Sequence, residues 1–258
     1  MKKRLMAAVL STAMAATMLL TGSISVQAAD AAAANDPAVE LIFTSVSVSG
    51  DSHTEAMYEF ADKVEELSGG SVTCKCYDNG SLFSSENEFD ALLNGDADLA
   101  YISFPTIATQ IPSYSMFASG YLFSSYEHMT SVLNGDIGLN KIRPQIEETL
   151  NIKPLSSFYL GSRVINTREK EINSYDDMNG LLLRMPNSEA WLFLGEALGA
   201  NPTPLSFSEL YTALQTGAVD AQDNPLPSIE SAKFYEVTKY IAITNHVVDS
   251  IMPCINGD

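Results

Sequence analysis

Leu181-Leu-Leu-Arg-Met-Pro-Asn-Ser188 is the stretch on which the fold turns. An apolar run that ends in Arg184 and is stopped by Pro186 reads as a buried strand carrying a guanidinium to its carboxyl end. Asn187 and Ser188 are good N-cap residues for a helix over Glu189 to Leu198, which Gly199 closes. In open α/β sheets, ligands bind beyond the carboxyl ends of strands and beside helix N-termini. A buried Arg is costly unless paired, and a carboxylate held in a bidentate fork is its natural partner. Two pairings are open: an internal Arg–Asp salt bridge, or Arg184 holding the carboxylate of a small ligand. The second is the working expectation.

Towards the C-terminus, Val219-Asp-Ala-Gln-Asp-Asn224, closed by Pro225, is a second strand end. Asn224 offers a donor and an acceptor beside an Arg-bound carboxylate, although Asn-Pro is also a common way to leave a strand. Phe207 is either a wall for the apolar part of a ligand or plain core. Trp191, two helical turns beyond Arg184, reads as packing.

The N-terminal half shows repeated β–α–β. Glu40 to Ser47 reads as a strand, and Ser52-His-Thr-Glu55 as a capping box for a helix that Gly69-Gly70 stops. Val72 to Tyr77 is the next strand. Ser85-Glu-Asn-Glu88 caps a helix that Gly95 ends, and Asp98 to Ser103 is again a strand. The middle is less regular. Tyr114 to Phe123 is aromatic, Glu127 to Leu133 a short helix, and Leu139 to Leu150 a helix interrupted by Pro144. A strand over Ile152 to Tyr159 leads to Gly161-Ser162-Arg163, read as a crossing point, and Val164 to Val248 forms a second β–α–β series.

Ala91-Leu-Leu-Asn-Gly-Asp-Ala-Asp98 and Ala213-Leu-Gln-Thr-Gly-Ala-Val-Asp220 share the pattern A-L-x-x-G-x-x-D. Each follows a helix start read as capped, by Ser85 and Glu88 in one and Ser206 and Glu209 in the other. The echo fits two related lobes; it fits equally a common form of helix–Gly–strand junction. The fold class, α/β, rests on the alternation alone.

The chain has 258 residues, 46% of them hydrophobic, enough for one large domain or two modest lobes. Lys2, Lys3 and Arg4 precede an apolar run, and Val26-Gln27-Ala28 has the spacing of a cleavage site, so residues 1–28 read as a secretory signal peptide. Residues 29–38 read as a disordered leader, and Ser23 stands where a lipid-anchored relative of this pattern would carry Cys. The expected product is exported, periplasmic or otherwise extracytoplasmic, and soluble. A formal charge of −18 argues against nucleic acid and anionic membrane surfaces. Arg163, Arg168 and Arg184 nevertheless cluster in one segment, where an anion would lodge; a solvated ion-pair face accounts for Arg168 equally well.

Cys74 and Cys76 alternate with Val72 as on a strand with one buried face, and are read as structural; pairing of either with Cys254 stays open. The three His are far apart, so no metal site is expected, and no cofactor. Hydrolase, metalloprotease and phosphate-loop signatures are absent. Two carboxylates can always be found among 32 acidic residues, so a glycosidase pair has no specific support. The chain is read as a non-enzyme, without catalytic residues.

Leu183-Arg-Met-Pro-Asn-Ser188, Leu198-Gly-Ala-Asn-Pro-Thr-Pro204, Phe207-Ser-Glu-Leu-Tyr-Thr-Ala-Leu-Gln-Thr-Gly217, Val219-Asp-Ala-Gln-Asp-Asn-Pro-Leu226 and Lys233-Phe-Tyr-Glu-Val237 closely resemble the solute receptors of TRAP transporters, the dicarboxylate-receptor (DctP) type. Tyr77-Asp-Asn-Gly-Ser-Leu82, Gly95-Asp-Ala-Asp98 and Tyr126-Glu-His128 extend the likeness more loosely, over about residues 40 to 250. The resemblance implies a two-lobed, periplasmic-binding-protein-like fold with a ligand cleft between the lobes. Lobe I would span 39–161, with 250–258 returning to it, and lobe II 162–249. The receptor would close on a small organic acid and deliver it to TRAP permease membrane subunits. A ligand-presenting sensor subunit on the same fold is the alternative. Arg184 matches the clamping Arg of the family, Asn224 its Asn partner, Arg163 a second Arg, and Phe207 a pocket aromatic. Asn187 at the helix start, and Ser103 and Ser85 in the first lobe, complete the expected ligand-binding set. Relatives continue past the position of Asp258 with further strand and a long helix, so the C-terminal part of the fold is expected to be missing.

Overall fold

A computed structural model describes residues 38–258. The expected signal peptide, and the expected leader up to its last residue, lie outside the described residues. The chain begins β1 (Val39–Thr44), α1 (Ser52–Leu67), β2 (Val72–Tyr77), α2 (Glu88–Asn94), β3 (Leu99–Ile102) and the single turn α3 (Phe104–Ile107). A 3-10 segment over Pro112–Ala118 leads to α4 (Tyr126–Leu133), α5 (Arg143–Leu150), β4 (Ile152–Pro154) and the long β5 (Phe158–Thr167). The second series runs β6 (Leu182–Met185), α6 (Glu189–Ala197), β7 (Asn201–Pro204), α7 (Leu210–Thr216), β8 (Ala221–Pro225) and α8 (Leu226–Ser231). It closes with β9 (Tyr240–Ala242) and β10 (Val248–Asn256). Among the described residues no helix is long and apolar enough to cross a membrane.

The strands form one mixed sheet in the order β2-β1-β3-β10-β5-β8-β6-β7, with β4 beside β10 and β9 beside β5. In each half, a parallel triplet, β2-β1-β3 or β7-β6-β8, adjoins an antiparallel strand from the rest of the chain. The two halves meet along β5 and β10. From Phe158 to Ser162, β5 pairs with β10; from Arg163 onward it pairs with β8 and β9. Conversely, β10 leaves β5 after Ile251 and pairs with β3 and β4 from Met252 onward, after a register shift between Asp249 and Ser250. Gly161-Ser162-Arg163 is thus where β5 exchanges neighbours, inside one continuous strand. The expected strand Ile152–Tyr159 is instead split into β4 and the start of β5 by Leu155-Ser-Ser157.

Cores fill both halves. Phe89, Leu92, Ile102, Phe104, Ile107, Met129, Leu133 and Met252 cluster in the first half, while Phe43, Met57, Leu99 and Tyr101 fill the other face of its sheet. In the second half, Leu183, Met185, Trp191 and Leu194 pack under α6, and Val164, Leu210, Leu214 and Phe234 under α7 and α8. Cys74, Cys76 and Cys254 are free thiols. Pro144 does not break its helix: a π turn over Gly138–Ile142 runs directly into α5, and Pro144, two residues beyond it, sits where the widened turn accommodates a residue without an amide hydrogen.

Three helix starts differ from expectation. Asp51, not Ser52, is the N-cap of α1, its carboxylate accepting from His53 N at 2.9 Å. The carboxylate is the stronger acceptor of the two candidates, and it takes the position. No cap forms between Ser85 and Glu88: α2 begins at Glu88 after Asn87, and the Ser85 hydroxyl donates to Glu86 instead. Ser206 likewise donates to the Glu209 side chain rather than capping α7, which begins at Leu210.

The A-L-x-x-G-x-x-D echo corresponds to one repeated device. Gly95 and Gly217 end α2 and α7 at φ 75° and 80°, left-handed values that glycine adopts without strain. Three residues later an Asp grips the neighbouring parallel strand at both polar groups of one residue. Asp98 N donates to Ile42 O at 3.0 Å and Asp98 Oδ2 accepts from Ile42 N at 2.7 Å. Asp220 N donates to Leu182 O at 2.9 Å and Asp220 Oδ2 accepts from Leu182 N at 3.0 Å. Each Asp therefore fixes where its parallel triplet begins. Asp98→Ala and Asp220→Ala should each cost about 1.5–3 kcal/mol, the scale of a lost hydrogen bond to a charged group. Urea unfolding of each variant checks this; a change below about 0.5 kcal/mol would show the grip to be incidental.

Candidate functional site

A cavity of about 400 Å³ opens at the carboxyl ends of the parallel strands, with walls from both halves. Val46 and Ser47 follow β1, Ser103 follows β3, Pro186 and Asn187 follow β6, and Asn224 is at the end of β8. All seven residues expected at a site, Arg184, Asn224, Arg163, Phe207, Asn187, Ser103 and Ser85, line this one cavity.

Arg184 sits near the end of β6, where Pro186 stops the strand and Ser188 caps α6 by accepting from Trp191 N. Only 2% of it is exposed, yet its one hydrogen bond among the described residues is from Nε to Leu205 O, at 2.8 Å. Among the described residues no carboxylate lies within ion-pair distance of it, so the internal Arg–Asp pairing is absent among them. Burial, and then the nearby Arg163 guanidinium, pull its pKa down to about 9. The Phe207 ring lies 6.0 Å from its guanidinium carbon, at the outer limit of a cation–π contact.

Arg163, on β5, is buried and held by two carboxylates. Its Nε donates to Asp249 Oδ2 at 2.8 Å, its Nη1 donates to Asp223 O at 2.7 Å, and Asp223 Oδ1 lies 3.5 Å away. Burial opposes the charge of Arg163, but Asp249 and Asp223 outweigh burial and raise its pKa. Asp249 goes the other way, its pKa raised by burial despite Arg163. Asp223 also has His246 Nε2 at 3.3 Å, and burial is overcome there by Arg163 and His246, lowering its pKa. The internal salt bridge considered for Arg184 therefore exists, but at Arg163.

Trp191 is no simple core residue: its ring lies 4.1 Å beneath the Arg163 guanidinium and lines the cavity. Asn224 Nδ2 donates to Gln222 Oε1 at 2.6 Å, and Gln222 to Asn166 Oδ1 at 3.1 Å, which fixes the Asn224 side chain. Ser103 caps α3, its hydroxyl shared with Thr106 Oγ1 at 2.9 Å. Ser85 and Asn187 are exposed, at the rim.

The first half adds an acidic wall that sequence reasoning missed: Asp51, Glu86, Glu88 and Asp90. Nothing in a chain with 32 acidic residues singles these out beforehand. Asp51 holds His53 through Oδ1, while Oδ2 accepts from Ser231 Oγ of α8 at 3.1 Å, a contact between the halves. Arg163 and Arg184 are the cations among the lining residues, and neither faces a second Arg or Lys from the first half.

A family model for bacterial extracellular solute-binding proteins, family 7 (DctP), matches residues 43–258. The sialic acid-binding periplasmic protein SiaP of Vibrio cholerae serotype O1 is 35% identical over 196 residues, 76% of this chain and 60% of that protein. A TRAP periplasmic solute-binding protein from Roseobacter denitrificans, solved with bound 3-deoxy-D-manno-oct-2-ulosonic acid, is 40% identical with a TM-score of 0.80, covering 85% of this chain and 72% of that one. The sugar acid binding protein DctPAm from Advenella mimigardefordensis, in complex with galactonate, is 32% identical with a TM-score of 0.80, covering 86% and 71%. These solved neighbours are two-lobed, and the mixed α/β architecture here is the same fold. The chain spans about 60% of the length of the curated relatives it matches.

Glu88 gives the cavity a pH signature. Burial pushes its carboxyl from 4.5 up to about 8. The folded state then keeps a proton that the unfolded chain has released, so this group's contribution to stability falls as pH rises from about 4.5 to about 8. Glu88→Gln removes that loss. Relative to the variant, the unsubstituted chain should lose about 1.4 kcal/mol per pH unit across the window. Chemical denaturation at pH 5, 6.5 and 8 measures the difference; a gap that stays constant with pH would refute the buried-acid account.

Proposed function

The chain belongs to the bacterial extracellular solute-binding protein family 7, DctP, and on that premise we propose that it captures a small organic acid on Arg184 for delivery to the membrane subunits of a TRAP-type secondary transporter. The observation that carries the reading is the contrast between two buried guanidiniums. Arg163 is held by Asp249 and Asp223, whereas Arg184 has one backbone acceptor and is left open to the cavity. A buried cation without a counter-charge is the arrangement expected of a site whose missing partner is the ligand carboxylate. Asn224 beside it completes the hydrogen bonds of that carboxylate, Phe207 and Trp191 wall the carbon chain, and Ser103, Ser85 and Asn187 stand at the first-half wall and the rim.

The ligand class follows from the opposite wall. A second carboxylate would meet Asp51, Glu86, Glu88 and Asp90 with no further cation to receive it. A hydroxylated monocarboxylate, a sugar acid, meets acceptors instead. Relatives bound to galactonate and to an octulosonic acid support that choice.

Lobe I is assigned to 39–161 with 250–258, and lobe II to 162–249; in support, β5 changes neighbours between Ser162 and Arg163, beside the first boundary, and β10 shifts register between Asp249 and Ser250, at the second. Closure about these two strands removes water from the Arg184–carboxylate pair and strengthens it. Export through residues 1–28 places the receptor outside the cytoplasm.

Trp191, the chain's single tryptophan, reports on the cavity directly. Fluorescence titration and thermal shift against sugar acids should show saturable binding, with stabilisation of about 2.7 kcal/mol at a hundredfold excess over Kd. Arg184→Ala should weaken that binding at least about a hundredfold, the scale of breaking a buried pair. Arg184→Lys should not restore it, since an ammonium lacks the planar fork. Unaltered affinity in Arg184→Ala would overturn the assignment.

A further inference from the structure

Glu88 is a second cavity residue whose burial the chain itself does not offset. The Ser85-x-x-Glu88 spacing predicts a helix cap, and that cap does not form. The side chain instead turns inward, with 4% of the residue exposed, and lines the wall that the first half contributes. Among the described residues its Oε1 is fully buried without a hydrogen-bond partner, and so is Thr44 Oγ1, at the end of β1. No cation offsets its burial, and the nearby Thr44 hydroxyl makes no hydrogen bond to it in good geometry. The other charged residues around the cavity are Asp51, Glu86 and Asp90 on the same wall, and Arg163, Arg184 and Asp249 on the other. An unpartnered buried carboxyl is a destabilising choice where an apolar side chain would fit.

We infer that Glu88 selects the ligand by exchanging a hydrogen bond with a hydroxyl at the end remote from the Arg184-bound carboxylate. Held neutral by burial, the carboxyl both donates and accepts, which matches a hydroxyl group. A methylene at that place leaves Glu88 unpartnered, so ligands without the hydroxyl bind less tightly. A second carboxylate there meets the acidic wall, so dicarboxylates are disfavoured. The residue is thus a determinant of specificity, distinct from the anchoring Arg184. The inference rests on the receptor reading above, and its test separates the two.

Trp191 fluorescence is titrated with galactonate, 3-deoxy-D-manno-oct-2-ulosonic acid, sialic acid and succinate, on the unsubstituted chain, Glu88→Gln, Glu88→Leu and Arg184→Ala. The unsubstituted chain should bind at least one of the three hydroxylated acids more tightly than succinate. Glu88→Leu should weaken that acid about tenfold or more and narrow the preference over succinate. Glu88→Gln, neutral and still able to donate and accept, should stay within about threefold. Circular dichroism melts accompany each variant, and Glu88→Ala replaces Glu88→Leu should leucine prevent folding. If the leucine variant binds the hydroxylated acid as tightly as the parent, or the parent prefers succinate, the inference falls and the receptor reading stands. If the parent binds none of the four acids, the receptor reading falls and takes the inference with it.

Discussion

Two guanidiniums taken out of water, on strands separated by β8, set the terms for the rest of the structure. Desolvating such an ion costs several kcal/mol, and a fold tolerates it only where compensation is supplied. Arg163 is compensated from within, and its partners come from different strands: Asp249 from β10 and Asp223 from β8. The ion pairs therefore bind together the strands at which the two halves meet. Arg184 lies two strands away and receives none of this. A second internal carboxylate would have made the site inert. The division of labour between a structural and an open cation is what gives the cavity a polarity, positive on one wall and acidic on the other.

The two halves solve the same problem of starting a parallel triplet in the same way. A short helix ends on a left-handed glycine, the chain drops three residues, and an Asp takes both polar groups of one residue on the adjoining strand. This anchoring lies at the ends of the strands away from the cavity. The carboxyl ends are then left to carry the residues that line the cavity. The contrast shows in the sequence: the anchoring residues repeat between halves, and the cavity residues do not.

Much of this was legible because it is local. Apolar runs stopped by Pro186 and Pro225 mark strand ends, and whatever stands there, Arg184 or Asn224, is carried to the carboxyl edge of the sheet. Family likeness supplied Arg163, Phe207, Ser103 and Ser85, and the cavity they share with the other three follows from the topology. Long-range register was not legible. That Asp249 reaches Arg163 depends on the bulge at Asp249 and Ser250, 86 residues along the chain, which no spacing rule encodes. Cap patterns misled for a different reason. Ser52 lost to a stronger acceptor one residue earlier, and at Glu88 the pattern competed with a cavity that sequence does not display. Trp191 satisfied the helical spacing of a core residue while its other face lay under Arg163.

The carboxylate of Asp51 belongs to two structures at once. One oxygen holds the first turn of α1 through His53 N, and the other accepts from Ser231 at the end of α8, in the opposite half. Any movement that parts the halves removes one donor from the very group that secures the helix start. The amide hydrogens of that first turn are thereby coupled to events across the cleft, and their rate of exchange with solvent becomes a record of how often the halves separate.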